Sequence, residues 1–129
     1  MFRRRENKML DIILDRKEAM VTLEPHGALC KDDFDIAVKV IDPFIEKHGK
    51  LDGLIIYAES FPGWEDFAAL SRHITFVKNH HQKIKRLAFV TNSSVGSVAE
   101  TIASHFVKAE IKSFSFEQLD EAKSWILED

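Results

Sequence analysis

An α/β fold with a five-stranded, mostly parallel sheet is what this sequence predicts, and three observations lead to it. Leu54 to Ala58 is apolar without alternation, as in a strand buried on both faces. Further apolar runs of strand length alternate with longer stretches whose apolar residues recur at helical spacing. Near the start, Met9 to Leu14 and Ala19 to Leu23 are two β-prone runs with Asp15-Arg16-Lys17-Glu18 between them, which reads as a hairpin turn. Strands alternating with helices pair in parallel through right-handed crossovers, and the hairpin adds an antiparallel strand at one edge. The expected order is β-β-α-β-α-β-α-β-α, with about four helices in a single domain.

Residues 1–8 read as a loose, charged start. Pro25-His26-Gly27 breaks the second strand. Asp32 to His48 is the first helix: Asp32 and Asp33 suit its positive first turn, and Gly49 suits its exit. Phe34, Ala37, Val38, Ile41, Phe44, Ile45 and His48 share one face, while Ile36 lies off it without an obvious partner. Pro43 inside this pattern is expected to kink or split the helix. Residues 51–59 form the central strand, and Ser60-Phe61-Pro62-Gly63-Trp64 is a tight turn at its carboxyl end. Gly63 to His81 reads as the longest helix, with Trp64, Phe67, Ala68, Ser71, Ile74 and Val77 inward. Lys85 to Thr91 is a strand, Ser94 to Lys108 a helix, and Glu110 to Phe114 a short last strand. Ser115 and Gln118 make a capping box for a final helix whose stripe is Phe116, Leu119, Ala122 and Ile126. Trp125 is off that stripe, and packing within the chain is the preferred role for it.

Composition narrows the function classes. Hydrophobic residues are 45% and charged residues 30%, as in an ordinary globular protein. A net charge of −3 argues against a dedicated nucleic-acid binder, which would show a clustered basic excess. The single cysteine, Cys30, cannot form an internal disulfide and fits a reducing, cytoplasmic setting as a buried structural thiol. No apolar run approaches ~20 residues, and Met1-Phe2-Arg3-Arg4-Arg5 lacks the apolar segment of a secretory signal.

Several local patterns together resemble a known family. They are the helix with Phe34, Pro43 and Ile45 ending in His48-Gly49, then Phe61-Pro62-Gly63-Trp64, then Phe114 and Ala122-Lys123-Ser124-Trp125-Ile126-Leu127. The chain resembles the SpoIIAA-like proteins, a bacterial group related in fold to STAS domains and more distantly to CRAL-TRIO lipid-binding domains. The resemblance implies a sheet wound in sequential order with helices mainly on one side, and it implies little about activity. STAS proteins that antagonise anti-sigma factors carry a phosphorylatable Asp-Ser-Ser-Gly type turn after the strand matching 51–59. Here that turn is Ser60-Phe61-Pro62-Gly63-Trp64, so the phosphoacceptor position is absent. Thr91-Asn92-Ser93-Ser94 looks similar but follows the next strand, and the tryptophan frequent in the family near Ser94 or Val95 is missing.

On the long helix, Phe76 and Ala69 fall opposite the buried face, beside Arg72, His73 and His80. An exposed aromatic among basic groups can rest on a membrane surface or cover an apolar cleft; it can equally pack on a neighbouring helix or a dimer partner. Three N-terminal arginines at ~1 kcal/mol each would add only marginal membrane attraction. Glu59, Glu65 and Asp66 gather near the central strand's end, but no nucleophile or base of matching geometry can be named, so no catalytic residue is expected. Asn92, Ser93 and Ser94 at another strand-to-helix turn could hold an anion, and ordinary N-capping explains the same residues. His73 and His80 are about two turns, ~10 Å, apart, too far for one metal with bonds near ~2 Å. No metal and no cofactor is expected.

The functional expectation is a non-enzymatic cytoplasmic module that binds an apolar small molecule or lipid, or associates reversibly with the inner face of a membrane. The contact set is Phe61, Pro62, Gly63, Trp64, Phe67, Arg72, His73, Phe76 and His80. The alternative is a STAS-like protein–protein regulatory module without the serine switch, with a homodimer through the same helix as one form.

Overall fold

The computed structural model describes residues 10–26, 31–59, 83–92 and 109–128, leaving aside the side chains of 31, 32 and 34. Five strands form one sheet: β1 (Leu10–Asp15), β2 (Met20–Pro25), β3 (Leu51–Tyr57), β4 (Ile84–Val90) and β5 (Glu110–Phe114). They lie in the order β1-β2-β3-β4-β5. β1 pairs with β2 antiparallel, and the three remaining pairs are parallel. Two α-helices are present among the described residues, α1 (Lys31–His48) and α2 (Leu119–Leu127), the latter entered through a 3-10 turn at Phe116–Gln118. The described order is thus two helices short of the expected one. The two others, expected over 63–81 and 94–108, lie outside the described residues.

Alternation along each strand divides the core between the two faces of the sheet. On one face Val21, Leu23, Leu54, Ile56, Leu87 and Phe89 pack with Ala37, Ile41, Phe44 and Ile45 of α1. On the other, Met20, Ile55, Ala88 and Val90 meet Ala122 and Ile126 of α2. The two described helices therefore cover opposite faces rather than gathering on one side. Ile55 and Ala88, partners across β3 and β4, are fully buried, which explains the uninterrupted apolar run of the central strand.

Several boundaries differ from the expectation. The hairpin turn is 16–19 rather than 15–18, and Asp15 Oδ1 accepts from the amides of Lys17 and Glu18 at 3.1 Å each. Ala19 closes the turn at φ 55, and its carbonyl accepts from Asp52 N at 2.8 Å, tying the hairpin to β3. β2 runs two residues beyond the expected Leu23 and ends at Pro25, which is buried and pairs with Leu10. The register with β3 stops at Leu23, so the amide hydrogen that Pro25 lacks is not needed by that ladder. Pro43 does not split α1, which runs unbroken from Lys31 to His48. Its ring faces solvent, as does Lys39 one turn earlier, so the carbonyl it leaves unbonded is on the wet side of the helix.

The ends of α1 follow its sequence. Gly49 takes φ 90 and its amide donates to Ile45 O at 2.7 Å, a left-handed exit that glycine adopts without strain. His48 stacks on Phe44 (centroids 4.1 Å, 16°) with Nδ1 3.1 Å from Phe44 O, a cationic-type residue at the negative helix end. Burying each of Ile41, Phe44 and Ile45 contributes about 1.5–3 kcal/mol relative to exposure.

Candidate functional site

Two regions carry the polar groups that the sheet positions. The first is the carboxyl end of β3, β4 and β5, where ligands collect in open α/β sheets. Ala58 N donates to Val90 O at 3.1 Å, and Asn92 N donates to Glu59 O at 3.0 Å. Thr91 Oγ1 donates to the same Glu59 carbonyl at 3.2 Å, while Thr91 N donates to Phe114 O at 2.9 Å. Phe116 N donates to Asn92 Oδ1 at 3.0 Å. Tyr57 and Phe116 stack face to face at 4.6 Å and 8°. Thr91 and Asn92 thereby lace three strand ends together.

Of the candidate site residues singled out in the sequence, Asn92 and Glu59 fall in this described region, Asn92 by its side chain and Glu59 by its carbonyl. The Asn92 amide oxygen is engaged by the backbone at the start of the 3-10 turn. Phe61, Pro62, Gly63, Trp64, Phe67, Arg72, His73, Phe76, His80, Ser93 and Ser94 lie outside the described residues, as do Cys30, Glu65 and Asp66. Glu59 is exposed.

The second region is a groove of about 680 Å³ between β5 and α2, lined among others by Lys112, Phe114, Asp120, Glu121, Trp125 and Glu128. Sequence reasoning placed Trp125 against the chain, and it does pack there: its ring meets Phe114 at 5.9 Å and 54°. Arg86 lies over the same ring at 5.2 Å and Lys112 Nζ at 5.8 Å. Lys112 also stands 5.3 Å from the Phe114 ring. The lining charges are three carboxylates, Asp120, Glu121 and Glu128, against one ammonium, Lys112.

Beneath this groove is a residue that the sequence reading passed over. Arg86, inward-facing in β4, is buried to 9% exposure. Its Nε donates to Glu110 Oε1 at 2.7 Å; one terminal nitrogen donates to Trp125 O and, at 3.0 Å, to Glu128 O. The guanidinium so satisfies carbonyls at the negative end of α2. Its signal in the sequence is a lone arginine inside the apolar run Ile84–Val90, at a position whose neighbours in register face α2.

Metal-ligating side chains converge at one place among the described residues, the opposite edge of the sheet, where Asp11, Glu24 and His26 meet. No helix among the described residues is long and apolar enough to cross a membrane.

With this geometry in hand, comparison with known proteins gives one positive finding. The family model described as SpoIIAA-like matches residues 20–127, from β2 to the last turn of α2. The chain belongs to the SpoIIAA-like family. Comparison with curated proteins found no match, and comparison with solved structures found none either. As a SpoIIAA-like protein, the chain has the mixed five-stranded α/β sheet described above, with its antiparallel edge at β1.

Proposed function

We propose that this SpoIIAA-like protein is a non-enzymatic protein–protein regulatory module of the STAS-like kind, working without the serine switch that an Asp-Ser-Ser-Gly type turn would supply, since Ser60-Phe61-Pro62-Gly63-Trp64 stands in its place. The observation that carries this reading is the family match over residues 20–127. It favours the regulatory alternative over the lipid carrier, whose contact set lies wholly within residues 61–80, outside the described residues. Fold-level likeness alone does not supply a function, so the surface matters. The groove between β5 and α2 offers aromatic rings, Phe114 and Trp125, within a predominantly acidic rim. Aromatics are favoured at interface centres, and complementary charge steers partners, so a segment with a basic, apolar character suits it.

The test is affinity capture from the source cell with the full chain, comparing wild type with Lys112→Glu and Glu121→Lys, two exposed charge reversals that leave the core intact. A stoichiometric protein partner weakened by Glu121→Lys supports the proposal. Sedimentation with anionic vesicles, abolished by Phe76→Glu and accompanied by no protein partner, returns the carrier reading instead.

A further inference from the structure

The geometry points to a binding site for a first-row divalent cation of the zinc class on the outer hairpin, formed by Asp11, Glu24 and His26. This site is separate from the β5–α2 groove and does not depend on the proposed function.

The strand period builds it. Asp11 of β1 and Glu24 of β2 are directly opposite in the antiparallel register, and His26 follows Glu24 by two residues, so all three side chains leave the same face of the sheet. One donor atom from each lies within 4.8 Å of the other two. His26 Nε2 is 2.8 Å from Asp11 Oδ2, with both side chains 47% exposed, so the cluster is open to solvent and to an incoming ion. Like charges directly opposite across an antiparallel pair are unfavourable. Asp11 and Glu24 present such a pair, and a cation between them would turn the repulsion into a shared attraction.

The donor set selects the ion. One imidazole nitrogen with two carboxylate oxygens suits zinc and its neighbours rather than magnesium or calcium, which take oxygen ligands. Tetrahedral zinc with bonds near 2.1 Å separates its donors by about 3.4 Å. That value falls between the 2.8 Å of the His26–Asp11 contact and the 4.8 Å outer limit of the group. Three protein ligands leave a position for water, and the exposed setting makes the site a clamp between the edge strand and the chain leaving β2.

Chelator-treated full-length protein titrated with zinc ion tests this, read by calorimetry and by the imidazole resonances of ¹⁵N-labelled histidines. The expected result is one zinc bound per chain, with His26 moving first among the six histidines. His26→Gln and Glu24→Gln each weaken binding by at least about tenfold, the loss typical when even a supporting partner of a metal ligand is removed. Both positions are partly or largely exposed, and circular dichroism of each variant verifies the fold. No binding by wild type, or binding that both folded variants retain at full strength, overturns the site and leaves a cross-strand His26–Asp11 ion pair only.

Discussion

Ile126 of α2 occupies the space that a side chain on Gly53 of β3 would need. A Cβ built on Gly53 would stand 2.5 Å from Ile126 Cγ2 and 2.6 Å from Cδ1, closer than real contacts allow. Gly53 pairs with Arg86 across β3 and β4, so an absent side chain and a buried guanidinium lie next to each other beneath the last turn of α2. The gap lets the helix settle on the sheet, and the arginine then reaches its terminal carbonyls. The wall of the β5–α2 groove depends on that seating.

Gly53→Ala should destabilise the protein by about 1–3 kcal/mol through overpacking, measured by urea denaturation. Ile126→Ala alone should cost about 2–5 kcal/mol. Because the second change removes the atoms that clash, the double variant should be more stable than the sum predicts, by about 1 kcal/mol or more. Strict additivity would mean that helix and strand do not meet here.

Arg86→Met should cost about 2–3 kcal/mol, since the carbonyls of Trp125 and Glu128 lose a charged donor. Amide exchange in α2 should quicken more than in α1. Glu110→Gln should cost no more than about 1 kcal/mol, because that carboxylate is 67% exposed and its attraction is screened. Equal losses for the two variants would place the importance in the ion pair rather than in the helix end.

Asn92→Ala should lower stability by about 1 kcal/mol and speed exchange of the Phe116 amide, whose acceptor is removed. The amide of Thr91, bonded to Phe114 O, should remain protected. Hydrogen exchange followed by NMR separates these two outcomes residue by residue.

The fold was legible in the sequence wherever one residue's neighbours are close in the chain. Short unbroken apolar runs locate β3 and β4, and the period-3.6 pattern locates α1 and α2, because burial of a whole strand or of one helix face leaves a local mark in the chain. The capping signal at Ser115 and Gln118 is real: Ser115 N donates to Gln118 Oε1 at 2.9 Å. Contacts set by register were not legible. Reading the hairpin turn one residue early pairs Leu14 with Ala19 and sets Asp11 opposite Thr22. The observed register pairs Asp15 with Met20 and brings Asp11 opposite Glu24. Arg86 was missed for a related reason, since its partners Trp125 and Glu128 are about forty positions away and join it only when α2 docks. The strand does end at Pro25, as the proline signal predicts, whereas a split at Pro43 does not occur because the carbonyl it frees lies on the solvent side of α1.

The claim that this SpoIIAA-like chain works by holding a protein partner in the β5–α2 groove is tested most directly by lysine cross-linking in the source cell, with the linked sites mapped by mass spectrometry. Intermolecular links to protein should concentrate at Lys112 and Lys123, the lysines of β5 and α2, and be sparse at Lys85 of β4. Links to protein spread evenly over these positions or centred on Lys78, with Lys112 unlinked, would contradict it.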